Sequence, residues 1–214
     1  MSSGDEFPAQ LKPTTQEKTL PGTETQPPAL PFLPFVETML NTLEVRAAFL
    51  VEQAHRVGQY AAATARQLAL SPEEIENIRL AGLLHNYGAV SVPDNILNKP
   101  GRLTDEEMDI LRNSVLVGAR LLRHLPGAEH MVAIIASQSE WFNGKGGFPG
   151  QKHGEEVPLG ARIVAVSKTY DALTATRLYR QPMTSQEALD FLTSQAGTQF
   201  DPQVVEAFKT SLGQ

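Results

Sequence analysis

The sequence predicts an all-α fold, a bundle of about seven or eight helices with one long glycine-rich loop. Apolar residues recur at three- and four-residue spacings through most of the chain, and no segment alternates apolar with polar residues as a half-buried strand would. Helix-start signatures recur as well. Ser71-Pro72-Glu73-Glu74, Thr104-Asp105-Glu106-Glu107 and Thr184-Ser185-Gln186-Glu187 each place a hydroxyl where it can cap the amide of an acidic residue three positions on.

Residues 1–30 are rich in Pro, Thr, Gln and Glu and hold almost nothing to bury. Ordering them would cost backbone entropy with no apolar return, so they are expected to be a disordered tail or linker ahead of a helical domain over residues 31–214. The stretch LPFVETMLNTLEVRAAFLVEQAHRVGQYAAATARQLAL carries the helical spacing over enough residues for two helices or one bent one. Ser71, with Pro72 at the first helical position, launches the next helix through Ile75, Ile78 and Leu84 toward His85. Thr104 opens a helix through Met108, Leu111 and Leu121, Thr184 opens another through Ala188 and Leu192, and Asp201-Pro202 starts a last one. Between them, Phe142 to Glu156 holds glycines and a proline at loop density, while ARIVAVSKTYDALTATRLYR reads as one long buried helix.

Composition narrows the function classes. The net charge of −6 argues against broad electrostatic binding to nucleic acid or to an anionic membrane. No cysteine is present, so disulfides and thiolate metal sites are excluded. No apolar run approaches the ~20 residues of a membrane span, and MSSGDEFPAQ does not read as a secretory signal, so a cytoplasmic location is the expectation.

His85 stands beside Asn86 at the end of an apolar helical run. Around it, LLHNYGAVSVPDNILNKPGRLTDEE, EWFNGKGGFPG, GEEVPLGARIVAVSKTYDALTATRLYR and AGTQFDPQVVEAF follow one another in an order that resembles the HD-GYP domain, a branch of the HD phosphohydrolase superfamily, over roughly residues 50–210. The resemblance implies an all-helical domain that binds iron, manganese or similar ions and hydrolyses cyclic di-GMP. It also implies where the metal ligands belong, and those positions hold Gln53, His85, Asn86, Ser114, Gln138, Ser139 and Lys168 here. Of these, only His85 keeps a ligand side chain. His55 does not replace Gln53, because two helical residues turn a side chain by roughly 200°. The position of a substrate-facing lysine holds Ala89, and the Gly-Tyr-Pro signature reads Gly146-Gly147-Phe148-Pro149, with the register across Gly144 to Gly150 open by one place.

The segments that shape the fold survive: Lys99-Pro100-Gly101, Ala161-Arg162-Ile163, Asp171-Ala172-Leu173-Thr174 and Phe200-Asp201-Pro202 all match, with Arg162, Asp171 and Arg180 suited to structural ion pairs. Lys168, Arg177, Tyr179 and Arg180 form a candidate phosphate-binding set, since guanidinium and ammonium groups suit phosphate. Three readings stay open. The chain is a catalytically inactive domain kept as a regulatory or interaction module for a signalling protein, a non-hydrolysing receptor for cyclic di-GMP or another nucleotide, or a phosphohydrolase with an altered site. The first implies no cofactor and no bound metal. It also leaves Lys168 pointing inward, donating to Glu140, Asp94, or the amide oxygens of Asn86 and Gln138.

Overall fold

A computed structural model describes residues 33–176 and 181–213. The expected tail over residues 1–30, and the candidate phosphate-binding residues Arg177, Tyr179 and Arg180, lie outside the described residues.

The described chain forms eight α-helices: α1 (Leu33–Gln67), α2 (Pro72–Leu84), α3 (Asp94–Leu97), α4 (Asp105–Leu122), α5 (Glu129–Ser137), α6 (Leu159–Thr174), α7 (Ser185–Ser194) and α8 (Pro202–Ser211). The all-α prediction holds. All three anticipated capping boxes form, at Ser71, Thr104 and Thr184, and Asp201 caps α8 by accepting from the Gln203 amide at 2.8 Å. The long first stretch, α1, is two helical segments joined at a kink at Ala47, whose φ of −159° and ψ of 79° are not helical. No described helix is long and apolar enough to cross a membrane.

Small residues let the core helices approach closely. Where α1 crosses α2, a methyl group on Gly82 would sit 2.9 Å from the Gly58 Cα, so only glycine fits at that crossing. Helix α6 runs through the middle, burying Ile163, Val164, Val166, Tyr170 and Leu173 against its neighbours. Tyr60, Tyr170 and Phe208 meet edge to face with centroids 5.0 to 5.9 Å apart, which ties α1, α6 and α8 together. Arg162 on α6 pairs with Asp201 at 2.5 Å, and Arg56 on α1 pairs with the buried Asp171 on α6, as the surviving segments suggested. Arg180 lies outside the described residues.

Two local expectations need correction. Helix α6 stops at Thr174, because Ala175 turns extended at ψ 138°, rather than running on to Arg180. The glycine-rich segment is not all loop: Gly147–Phe148 pairs antiparallel with Ser139–Glu140, and a short 3-10 turn spans Gly154–Glu156. The ladder is closed by the buried Glu140 carboxylate, which accepts from the Gly150 amide at 2.8 Å and the Gln151 amide at 2.9 Å. Glycine at 147 permits it, having a φ of 89° and the Trp141 backbone close by.

Candidate functional site

Four helices deliver the expected site residues. Gln53 comes from the middle of α1, His85 and Asn86 directly follow α2, Gln138 and Ser139 follow α5, and Lys168 sits in α6. A cavity of about 340 Å³ opens there, lined by Gln53, His85, Asn86, Lys168, Thr169 and Gln199 with an apolar wall.

His85 is buried, and its Nδ1–H donates to the Gly82 carbonyl at 2.7 Å, the i−3 position of its own helix. That contact selects the tautomer whose Nε2 carries a lone pair. Burial, and then the nearby Lys168 ammonium, push the imidazole pKa down to about 3, against a smaller opposing pull from the Gly82 carbonyl, so His85 is neutral at physiological pH. Beside it, the Asn86 amide donates to Gln53 Oε1 at 2.9 Å, and two positions expected to face an ion are thereby engaged with each other.

Gln138 is almost wholly buried and works in both directions. Its Nε2 donates to the His85 carbonyl at 2.9 Å, and its Oε1 accepts from Lys168 Nζ at 3.2 Å. Ser139 Oγ accepts from the same ammonium at 2.8 Å. Lys168 is half-buried, and among the described residues no carboxylate pairs with it; burial lowers its pKa from 10.5 to about 8.

Lys168 does point inward and does meet Gln138, but its three other expected partners do not take it. Glu140 is committed to the loop amides, and Asp94 lies at the surface, paired with Arg46 at 2.5 Å. The Asn86 oxygen takes no bond from Lys168, its Nδ2 donating to Gln53, and Ser139, an acceptor not anticipated, takes the ammonium instead. Ser114 does not line the cavity. Its hydroxyl turns back to the Leu111 carbonyl at 2.7 Å, while its own carbonyl packs against Gly88. Ala89 has joined an apolar cluster with Leu43, Ala47 and Leu50. His55 is exposed, as helix geometry required. Thr169 and Gln199 were not singled out in the sequence. Nothing local marks Thr169, whereas Gln199 directly precedes the recognisable Phe200-Asp201-Pro202.

Iron, manganese and similar ions are held by several imidazole and carboxylate donors. The site offers one such donor, His85 Nε2. The two amides at Gln53 and Asn86 bond to each other, and the group in α6 is an ammonium, which repels cations. Among the described residues, no group of three or more His, Asp or Glu side chains could hold an ion. The residues present do not fit a catalytic divalent metal.

The helical bundle, with His85 and Asn86 at the end of one helix opening on a polar cavity, is consistent in architecture with an HD-type domain. The HD domain pattern matches residues 37–204, and the chain belongs to that family. It is 39% identical over 163 residues to the cyclic di-GMP phosphodiesterase response regulator RpfG of Xanthomonas campestris, covering 75% of this chain and 42% of that protein. It is 33% identical over 173 residues to the 3'3'-cGAMP-specific phosphodiesterase 2 of Vibrio cholerae, covering 80% of this chain and 33% of that protein. The chain thus spans less than half the length of either relative. An HDG"Y"P protein from Bdellovibrio bacteriovorus shares the fold with a TM-score of 0.62 at 19% identity, over 84% of this chain and 60% of that one.

Proposed function

We propose that the chain is a catalytically inactive member of the HD-GYP branch, acting in bacterial signalling as a regulatory module that engages another protein. The observation that carries this reading is the Lys168 ammonium, held inside the site by Gln138 and Ser139 at a position where the resemblance calls for an acid. Metal-assisted hydrolysis of a phosphodiester needs a cation to polarise phosphoryl oxygen and to lower the pKa of an attacking water. Neither Lys168 nor the paired amides can assemble that cation. Instead, amide is bonded to amide, and the ammonium to an amide and a hydroxyl.

The test is metal analysis of the purified chain after incubation with iron(II) or manganese(II), together with a cyclic di-GMP hydrolysis assay. No stoichiometric metal and no turnover are expected. Near-equimolar metal that a chelator removes together with activity would overturn the reading. Asn86→Asp is also expected to stay inactive, since a carboxylate added to His85 still leaves too few donors.

One feature favours a second reading, a cyclic dinucleotide receptor that does not hydrolyse its ligand. The cavity of about 340 Å³ retains a cationic group, Lys168, on its wall, and ammonium suits phosphate. Titration with cyclic di-GMP separates the two: saturable binding without turnover supports the receptor, and no binding supports the protein-interaction module.

A further inference from the structure

The cavity at Lys168 contains one polar atom that the bundle leaves unused. His85 is 4% exposed, its Nδ1–H is engaged by the Gly82 carbonyl, and Nε2 has no partner among the described residues. The single unpartnered side-chain nitrogen or oxygen sealed from solvent among those residues is Asn77 Oδ1, so His85 Nε2 is not sealed and opens on the cavity that the ring lines. An imidazole nitrogen with a lone pair asks for an O–H or N–H donor. An occupant that displaces water from it without supplying one loses a hydrogen bond.

Lys168 asks for the opposite. Its ammonium has three N–H groups, of which Gln138 and Ser139 take two. It is the one charged side chain lining the cavity among the described residues, so a single anionic group on a ligand would supply the counter-charge it lacks. The two groups are neighbours. After burial itself, the Lys168 ammonium is what lowers the His85 pKa, and Gln138 bonds to Lys168 through its oxygen and to the His85 carbonyl through its nitrogen. Gln53 Nε2 also lacks a partner among the described residues, its Oε1 being taken by Asn86. Ala172, Leu173 and Phe191 give the wall its apolar part.

These demands narrow the ligand. An amine is repelled by Lys168. A phosphodiester answers Lys168, but its oxygens only accept and would set lone pairs against Nε2. A phosphate dianion calls for a second cation, which the described wall lacks. A carboxylate with a hydroxyl on the adjacent carbon meets both groups at once, one through its charge and the other through its O–H. The volume of about 340 Å³, at the lower end of small-molecule pockets, admits a short aliphatic or single-ring substituent beside them.

We propose that this cavity binds a small 2-hydroxy monocarboxylate, with its carboxylate on Lys168, its hydroxyl donating to His85 Nε2 and its apolar substituent on Leu173 and Phe191. The proposal rests on the reading of the site as metal-free, and it gives the regulatory module a small organic acid as its signal.

The full chain, stripped with a chelator and dialysed, is titrated calorimetrically with three probes: 2-hydroxyisocaproate, isocaproate, which lacks the hydroxyl, and 2-hydroxyisocaproamide, which lacks the charge. Nitrogen NMR of the histidine-labelled chain follows His85 in parallel. Saturable binding of the hydroxy acid is expected, with each analogue weaker by about tenfold or more, the loss of one hydrogen bond to a group that the ligand seals from water. The His85 Nε2 resonance should move with the hydroxylated probes and stay in place with isocaproate. Lys168→Met keeps the stem and should weaken the hydroxy acid by roughly 10- to 100-fold, the loss of one charge-assisted hydrogen bond. No saturable binding of the hydroxy acid at millimolar concentration, equal binding of all three probes, or binding undiminished in Lys168→Met would overturn the proposal. So would displacement of the acid by cyclic di-GMP at a lower concentration, which would assign the cavity to a phosphodiester. Repeating the titration with manganese(II) separates this proposal from the reading beneath it. Binding that appears only with manganese overturns the metal-free reading as well, whereas absence of binding with and without manganese overturns this proposal alone.

Discussion

Replacing Lys168 with methionine should stabilise the protein at neutral pH. Methionine keeps the unbranched stem and removes the charge. The ammonium has only neutral acceptors, Gln138 at 3.2 Å and Ser139 at 2.8 Å, so its desolvation is not offset by a counter-charge. The fall in its pKa from 10.5 to about 8, at about 1.4 kcal/mol for each tenfold change in acidity, corresponds to a burden of about 3 kcal/mol while the group is protonated. Against this, Gln138 Oε1 loses its donor in a residue only 1% exposed, which costs about 1 to 2 kcal/mol. The net expectation is a gain of about 1 to 2 kcal/mol at pH 7. The pH dependence has a definite sign. Below about pH 8, Lys168 is protonated in both states and the folded protein carries the full burden. Between about 8 and 10.5 the folded state releases the proton while the unfolded state still holds it, so wild-type stability rises with pH across that window. Urea unfolding of both proteins at about pH 7 and pH 10 isolates this contribution, because all other titrations cancel in the difference. The methionine variant should lead at pH 7, and its lead should vanish or reverse at pH 10. A variant less stable than wild type at pH 7, or a difference that does not change with pH, would refute the argument.

The Arg56–Asp171 pair should respond asymmetrically, because the Asp171 side chain is 3% exposed and that of Arg56 is 40% exposed. Arg56→Met strands a buried carboxylate and should cost about 3 kcal/mol, whereas Asp171→Asn leaves a guanidinium that water can reach and should cost about 1 to 2 kcal/mol, both read by chemical denaturation. Equal costs would contradict this account of the pair. Gly88→Ala should prevent stable folding or cost more than about 3 kcal/mol, since the added methyl group would overlap the Ser114 carbonyl, which is backbone and cannot swing aside; a circular dichroism melt checks it. The His85 ring should show the Nδ1–H tautomer by nitrogen NMR and remain neutral down to about pH 4, since burial lowers its pKa to about 3. Unfolded His85 takes up its proton near pH 6.5 and the folded residue does so only near 3, so this group withdraws stability as pH falls through that window. A ring midpoint near 6.5 would show that His85 is not sealed in as described.

The residues at the positions where the resemblance implies ligands engage different partners. Gln53 and Asn86 bond to each other, and Gln138 links the His85 backbone to Lys168. Ser114 has withdrawn to its own helix, where its backbone carbonyl lies against Gly88. Ala89 contributes packing to the cluster that holds the first half of α1 against the turn after Asn86. Gln53, Asn86, Gln138 and Ser114 each make a hydrogen bond inside the bundle, and Ala89 buries apolar surface.

By itself, the sequence determined the helix starts at Ser71, Thr104, Thr184 and Asp201, the fold class and the family segments in their order. Capping is decided within about four residues: Ser71, Thr104 and Thr184 each find their amide donor and their glutamate partner on the first turn they open, so the pattern is complete in the local text. The opposed placing of Gln53 and His55 was legible for the same reason, since helical rotation is a local property. Only the tertiary structure decided which acceptor Lys168 meets. Glu140 and Ser139 are adjacent in the chain, yet the carboxylate of one turns to amides at 150 and 151 while the hydroxyl of the other turns to Lys168. Asp94 was drawn to Arg46, a residue 48 positions earlier. These pairings join groups from separate helices, and the winner is set by where the packed backbones bring competing donors, a quantity that no local spacing encodes.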